Sequence, residues 1–333
     1  MLAYIIKRVL SGIVVIILVS MAVFALFWFG PRNPAAPLCQ QDFNIRCTAD
    51  RMDQYAERMG FNNPVVTEYG KWAKGVFVGR TIPLGSGEYK CSAPCFGIDY
   101  NTKNPVTEEF KDRFPATVSL AVGGALIYFV VGVTIGTLAA RRRGTLADRA
   151  LVTGTLIMSS IPYYLVCILA YIYITIELDL FTSTGYHPIT ENPALWFSGF
   201  VLPWLVLGLY QSTAYTRFSR GSMVETLSED YIRTARAKGL SSRKVVFKHG
   251  LRSSIVPVVT IFGLDFAFLL AGTVFTEQIF QIDGVGRWAL QATYQKNLPV
   301  VSTVVLLGAA LVIVSNIVVD IIYSVIDPRV RLT

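Results

Sequence analysis

The sequence predicts an all-α integral membrane protein with six spanning helices, both termini in the cytoplasm, and a small extracytoplasmic insertion between helices 1 and 2. Of the 333 residues, 53% are hydrophobic and only 16% are charged, whereas a soluble domain carries about 25% charged residues. The apolar residues form runs of about 20, the length that crosses a bilayer as a helix. Ten-residue segments of alternating polarity are missing, so a helical bundle is favoured over a barrel.

Six apolar runs supply the spanning helices. They cover residues 10–29, 117–140, 151–176, 196–215, 255–276 and 300–323. Pro162, Pro203 and Pro257 fall inside or near the ends of three runs, so we expect kinks there, with neighbouring helices satisfying the freed carbonyls. Gly132 and Gly136 in the second run have the spacing that permits close packing of two membrane helices.

The positions of Lys and Arg predict the orientation of the chain. With a cytoplasmic N-terminus, the cytoplasmic ends and loops carry 17 cations, nine of them between Arg217 and Arg252. The two short outside loops carry only Arg287 and Lys296. The net charge of +8 therefore reflects the orientation of the chain in the lipid bilayer, and no binding to nucleic acid is expected.

This topology divides the chain into four segments. Residues 1–30 contain the N-terminus and helix 1, and residues 31–115 form the extracytoplasmic insertion. Residues 116–327 form the core with helices 2 to 6 and a cytoplasmic loop at 217–252, and residues 328–333 are a cytoplasmic tail. The insertion is polar and rich in turn residues, so we expect a small folded unit rather than a linker.

Four of the five cysteines lie in the insertion, on the side of the membrane where disulfides persist. They are Cys39, Cys47, Cys91 and Cys95, and three connectivities are open. The pairs Cys39–Cys47 and Cys91–Cys95 are favoured because each closes a short loop. A four-thiolate zinc site is the alternative, but its usual two-residue spacings are missing, so no metal is expected. Cys167 is expected to be a small buried apolar residue.

The cytoplasmic loop is predicted to contain a short amphipathic helix from Ser228 to Gly239. Ser228 can cap its first turn, where acidic residues also favour the positive helix end. Arg236 and Lys238 lie near its C-terminal end, where Gly239 stops it.

One face of this helix has a low profile because it carries Tyr231, Ala235 and the alanine-rich turn. A short helix with such a face suits docking into a groove of another protein. A solvated basic loop attracted to anionic lipid is the alternative. The candidate docking residues are Glu229, Asp230, Tyr231, Arg233, Thr234, Ala235, Arg236, Ala237, Lys238 and Gly239.

At these residues the sequence resembles the permease subunits of ABC importers. The loop motif of that family is Glu-Ala-Ala, three residues and Gly, followed further on by Ile-x-Leu-Pro. Here Arg233-Thr234-Ala235 matches the triplet, Gly239 the glycine, and Ser254-Ile255-Val256-Pro257 the end. Only the last alanine of the triplet is kept, and 14 residues separate Gly239 from Ser254. This longer spacing is similar to that of the dipeptide, oligopeptide and nickel subfamily.

Further matches extend the resemblance over nearly the whole chain outside the insertion. They are YIIKRVL near the N-terminus, RFPAT before the second run, FQIDGVG after the fifth run and DPR near the C-terminus. The long first outside loop makes the chain similar to a B-type peptide permease.

The resemblance implies a permease subunit that moves di- or oligopeptides across the cytoplasmic membrane of a prokaryote by alternating access. It implies a heterodimer with a second permease subunit, two ATPase domains or subunits, and an extracytoplasmic substrate-binding protein. The sequence contains no G-x-x-x-x-G-K-[ST] phosphate loop. ATP and Mg are therefore expected on the ATPase partners, and this chain is expected to have no cofactor and no enzymatic activity.

Three alternatives stand beside this interpretation. Within the same family, the substrate can be a nickel chelate, glutathione or another small polar solute. A secondary transporter would show inverted repeats and several intramembrane ion ligands. A membrane-embedded enzyme would need a converging catalytic cluster, and His187 and His249 are predicted in loops on opposite faces.

Four residues are candidates for the transport pathway. Asp265 is the one acid deep inside a predicted helix, where a functional role is the default hypothesis. It can pair with the amino group of a peptide, or be hydrogen-bonded to another helix or held neutral. Ser159, Ser160 and Pro162 form a polar patch in the third run, which either lines the pathway or makes interhelical hydrogen bonds.

Overall fold

The computed structural model describes residues 2–29, 39, 48–84, 87–181 and 185–326. Five of its helices are long and apolar enough to cross a membrane, and a bent helix pair supplies a sixth span when it is counted as one. The chain is therefore a multi-pass α-helical membrane protein, as predicted. It divides into two compact units. The N-terminal unit contains residues 2–115 and 284–313, and the central unit contains residues 116–283 and those from 314 onward.

The N-terminal unit begins with the spanning helix α1 and continues into the insertion. Its first elements are α1 (Leu2–Phe29), α2 (Ala49–Arg58), α3 (Val65–Val78), β1 (Arg80–Leu84) and β2 (Gly87–Cys91). The two strands form an antiparallel hairpin in which Arg80 is opposite Cys91 and Leu84 is opposite Gly87. Leu84, Ile98 and Tyr100 form a small buried core behind this hairpin. Within its described residues, the insertion therefore contains two helices, a hairpin and a small core.

The cysteines of the insertion are oxidised where the structure describes them. Cys91 and Cys95 form the predicted disulfide, and both are buried. Cys39 is also buried and disulfide-bonded, whereas Cys47, its predicted partner, lies outside the described residues, as does the predicted tail at 328–333. Cys167 is a buried free thiol, as expected for a small core residue.

The remaining elements follow the hairpin in the chain. They are α4 (Val106–Arg141), α5 (Leu146–Ser160), α6 (Tyr163–Ala170) with a π-helical extension (Tyr171–Glu177), α7 (Pro193–Thr226), α8 (Asp230–Ala237), a helical turn (Ser242–Lys244) with a π-helix (Val245–Gly250) leading into α9 (Leu251–Leu270), α10 (Val274–Ile279), α11 (Val285–Tyr294) and α12 (Leu298–Ile326). Helices α4 and α12 each contribute residues to both units.

Helix α7 is the central element of the central unit. Helices α5, α6 and α9 pack against it, and α4 approaches it through glycines. A Cβ atom added to Gly132 would lie 2.4 Å from the Cβ of Tyr215, and one added to Gly136 would lie 2.6 Å from the carbonyl oxygen of Thr216. The close packing that the glycine spacing predicts is therefore present between α4 and α7.

The third predicted span differs from a single kinked helix. Helix α5 ends at Ser160, α6 begins at Tyr163, and the two axes are bent by 88°. Proline disfavours helical backbone in the residue before it, and Ile161 is extended, with φ −82° and ψ 128°. The carbonyl oxygen freed at Ile161 accepts a hydrogen bond of 3.0 Å from the Tyr210 hydroxyl. The break at Pro162 is thus stabilised by α7.

The fifth span begins and ends earlier in the chain than the run that predicts it. Helix α9 ends at Leu270, and Gly272 has a φ of +122°, which glycine adopts readily. Pro203 and Pro257 lie inside α7 and α9, which continue through them.

Substitution of Gly132 tests the contact between α4 and α7. Gly132→Leu should destabilise the protein by about 2 kcal/mol or more, because the new side chain overlaps Tyr215 and backbone atoms of α7. The measurement is the thermal unfolding of the detergent-purified chain. Gly154→Leu is the matched control, since no atom lies within 4 Å of a Cβ added at Gly154. Equal stability of the two variants would show that the close approach is unimportant.

Candidate functional site

The short helix α8 lies inside the predicted range and ends two residues before the predicted glycine. Gly239 has a φ of +77° and donates its backbone N–H to the carbonyl oxygen of Arg236 at 3.0 Å. The N–H of Leu240 donates to the carbonyl oxygen of Ala235 at 3.3 Å. This pair of bonds is a Schellman motif, which requires a left-handed residue at Gly239. Glycine therefore sets the C-terminal end of α8.

The N-terminal end of α8 differs from the prediction. Glu229 occupies the cap position with extended backbone and makes no side-chain capping bond. Ser228 does not cap the helix, because its hydroxyl donates to the carbonyl oxygen of Glu225 at 2.6 Å. Helix α7 extends to Thr226, so Ser228 satisfies a carbonyl in the last turn of α7 instead.

The face of α8 that carries Ala235 is turned toward the chain itself. Ile232 is fully buried and Ala235 is 9% exposed, and both pack with Val245 and Leu227. Ala235, which is predicted on the docking face, is therefore covered by the following helical segment of the same chain, and its part in docking stays a prediction. The remaining candidate docking residues are exposed: Glu229, Asp230, Tyr231, Arg233, Thr234, Arg236, Ala237, Lys238 and Gly239.

A buried ion pair joins α5 to α7 near the same end of the spans. Arg220 donates from Nε and Nη2 to the two carboxylate oxygens of Asp148 at 2.6 and 2.7 Å. Asp148 is only 3% exposed and also accepts the backbone N–H of Gly144 at 2.9 Å. The Thr145 hydroxyl caps α5 by accepting the backbone N–H of Asp148. This Thr-x-x-Asp pattern before an apolar run is a recognisable helix start that the sequence analysis missed.

The polar patch of the third run is only partly joined to α7. The Ser159 hydroxyl lies 2.9 Å from the Thr213 hydroxyl and accepts a hydrogen bond of 2.9 Å from Arg217. The Ser160 hydroxyl is exposed and donates to the carbonyl oxygen of Leu156 in its own helix. Pro162 lies in the break between α5 and α6. Among these three candidates, Ser159 is the one that contacts a neighbouring helix through its side chain.

Asp265 on α9 is bound to α7 by a tyrosine. The Tyr215 hydroxyl donates to a carboxylate oxygen of Asp265 at 2.7 Å. The ring of Tyr215 lies 4.6 Å from that of Tyr128 on α4, measured between centroids. Within the described residues, Asp265 forms no salt bridge. The structure therefore brings one carboxylate and two tyrosines together from three helices.

A second buried carboxylate is Glu277 on α10, which is not among the residues that the sequence singles out. It is fully buried and accepts hydrogen bonds from the Thr117 hydroxyl at 3.0 Å and from the backbone N–H of Thr273 at 3.2 Å. Beside it, the Thr276 hydroxyl lies 2.6 Å from the Tyr163 hydroxyl. Because Glu277 lies in a six-residue helix just after the fifth span, the hydropathy of the sequence does not indicate that it is buried.

Comparison with known families decides the class of this membrane protein. A family model described as "Binding-protein-dependent transport system inner membrane component" matches residues 132–332. The corresponding N-terminal model matches residues 1–121. The chain belongs to this family. The resemblance seen at the cytoplasmic loop is thus confirmed, and the chain is a permease subunit of the ABC importer type.

This permease has close relatives and a solved structural neighbour. The "Probable peptide ABC transporter permease protein y4tP" of Sinorhizobium fredii is 33% identical over 328 residues, which cover 98% of this chain and 99% of the relative. The "Dipeptide transport system permease protein DppB" of Escherichia coli K12 is 32% identical and covers 99% of each chain. A structure of the MetNI methionine ABC transporter matches with a TM-score of 0.55 at 18% identity, covering 66% of this permease and 97% of that chain. It shows a shared fold.

Removal of Arg220 from the permease should leave the carboxylate of Asp148 buried without its bidentate partner. We expect Arg220→Met to lower stability by about 2 kcal/mol, the range for a hydrogen bond to a charged group, as measured by thermal unfolding in detergent. Arg233→Met is the matched control, because Arg233 pairs at 3.3 Å with Asp230 and both are highly exposed. Adding Asp148→Asn to Arg220→Met should restore part of the loss. Equal effects of the two arginine substitutions would contradict the assignment.

Proposed function

We propose that this permease subunit imports di- or oligopeptides across the cytoplasmic membrane of a prokaryotic cell by alternating access. Family membership and the relatives named for peptide transport support this substrate class. A second permease subunit would complete the translocation path, and an extracytoplasmic binding protein would deliver the peptide. Two ATPase domains or subunits would bind ATP and Mg and supply the energy.

The observation that carries the proposal is the arrangement of α8. Its apolar face is buried on the chain through Ile232 and Ala235, while its polar face is exposed. A helix of eight residues is too short to be stable alone, so this packing must hold it. A helix fixed on one face and free on the other can transmit a displacement from a partner into α7. The exposed residues from Glu229 to Gly239 are therefore proposed to contact the ATPase.

A charge reversal on the exposed face tests this contact. Arg233→Glu should reduce peptide uptake by more than about tenfold, because arginine is enriched among the few interface residues whose loss costs about 2 kcal/mol or more. Membrane insertion and pairing with the second permease should persist, while the ATPase is lost on purification or hydrolyses ATP without transport. Uptake of a panel of labelled peptides is measured in cells with and without the chain. Uptake of nickel chelates and of glutathione is measured in the same cells.

Arg142→Glu is the matched control for that experiment. Arg142 is an exposed arginine after α4 on the same predicted cytoplasmic side, and its reversal changes the net charge equally. If the Arg233→Glu variant takes up peptide normally and ATP hydrolysis stays coupled to uptake, the segment is a basic membrane-surface loop. Uptake of nickel chelates or glutathione instead of peptides would assign the chain to the alternative substrate class.

For the pathway, we propose that Asp265 receives the amino group of the peptide, with Tyr215 orienting the carboxylate. Asp265→Asn keeps an acceptor for the Tyr215 hydroxyl but removes the charge, so the fold should survive. Uptake of peptides with free amino termini should fall several-fold, since an ion pair in a poorly solvated site is stronger than in water, while uptake of N-acetylated peptides should not change. Asp112→Asn is the matched control, because it removes the same charge at an exposed position of α4. Equal loss for both peptide types would assign Asp265 a structural role.

A further inference from the structure

The N-terminal unit contains a cavity of about 520 Å³. Helices α1, α2 and α3, the β-hairpin and the first turns of α12 line it. Its walls include Phe24, Trp28, Trp72, Arg80, Tyr100 and Leu306. This volume lies in the range of about 300 to 1,000 Å³ that is typical of ligand pockets in proteins. The cavity is therefore large enough for a ligand and is separate from α8 and from Asp265.

Six of the residues that line the cavity are aromatic. The rings of Phe24 and Trp28 are stacked with centroids 5.7 Å apart, and Trp28 lies 5.2 Å from Phe61. Trp72 lies 5.9 Å from Phe24 and donates its ring N–H to the carbonyl oxygen of Phe96. Because the polar atom of Trp72 is engaged there, its ring can present an apolar surface to the cavity. Such walls suit a hydrocarbon chain.

Arg80 places a positive charge against this apolar surface. Its side chain crosses Gly75, where an added Cβ would lie 2.6 Å from the Arg80 Cδ. Its Nε is buried without a hydrogen-bond acceptor in the described part of the chain. The nearby carboxylate of Glu68 is already bound by Lys71 at 2.6 Å and by Asn63 at 2.8 Å.

The environment of Arg80 favours an additional anion. Burial lowers the pKa of the guanidinium, and the negative charge of Glu68 opposes this shift only in part. Arginine nevertheless remains protonated in proteins. A buried cation without a complete set of acceptors is costly. The cavity is therefore completed best by a ligand that brings hydrogen-bond acceptors and negative charge to Arg80.

The membrane supplies a ligand with both features. The cavity residues of α1, from Ser20 to Trp28, and those of α12, from Pro299 to Leu306, lie near the ends of spanning helices that the predicted topology places outside the cell. We propose that the cavity binds one phospholipid of the outer leaflet, with its phosphate on Arg80 and an acyl chain along Phe24, Trp28 and Trp72. Planar guanidinium groups bind phosphate through paired hydrogen bonds.

Native mass spectrometry of the full-length chain tests the proposal. The delipidated protein is titrated in detergent with dioleoyl phosphatidylglycerol, and the bound lipid is counted. The wild type should retain one lipid, and Arg80→Gln should bind it roughly tenfold more weakly, the loss of one charge-assisted interaction. Lys90→Gln should bind like the wild type, because Lys90 is an exposed cation on the same hairpin and does not line the cavity. Equal binding by both variants would overturn the proposal.

A second pair of variants tests the apolar part of the cavity. Ser302→Phe adds a ring at the wall, whereas Val305→Phe adds the same ring on the exposed side of α12. Only Ser302→Phe should reduce lipid retention. If Arg80→Gln fails to fold, this comparison of Ser302→Phe with Val305→Phe tests lipid binding in its place. Glycerol phosphate is the probe for the head group alone. If it displaces the lipid at equal concentration, the site binds a free anion and the lipid assignment is wrong.

Discussion

The close contact between α4 and α7 is the constraint on which the central unit depends. Lipid tails are as apolar as leucine, so spanning helices gain little from apolar burial against one another and associate through tight packing and hydrogen bonds. Gly132 and Gly136 remove the side chains that would separate the two helices. The position of α7 is then determined, and with it the direction of every polar side chain that α7 carries.

Three of those side chains connect α7 to other helices. Arg220 binds Asp148 at the start of α5, Arg217 binds Ser159 near its end, and Tyr215 binds Asp265 on α9. All three lie within two turns of one helix, so a displacement of α7 along its axis would affect all three contacts. Helix α8 follows α7 after three residues and is held by its own apolar face. The proposed contact with an ATPase is thereby linked mechanically to the buried polar groups between the spans.

The N-terminal unit follows a different principle, because many of its residues belong to the polar insertion and not to a spanning helix. Its core is small, and the Cys91–Cys95 disulfide lies within that core. The insertion is joined to the segment before α12 by buried polar contacts, such as the hydrogen bond of 2.8 Å from Asn297 to Asp99. A unit stabilised in this way can enclose a cavity against two spanning helices while keeping Arg80 partly unpaired.

The sequence by itself predicted the class, the approximate positions of the apolar spans and the glycine that ends α8, and it favoured the Cys91–Cys95 pair. Each of these depends on local properties: the length of an apolar run, the backbone freedom of one residue, or the short distance between two cysteines. Only the tertiary structure decided that the third span breaks at Pro162, that Ala235 is turned inward, that Ser228 binds α7 and that Glu277 is fully buried. Those outcomes depend on Tyr210, Val245, the end of α7 and Thr117, which lie elsewhere in the chain or in a neighbouring element. Periodicity shows that a helix has two faces, but the free energy of non-local packing decides which face is covered.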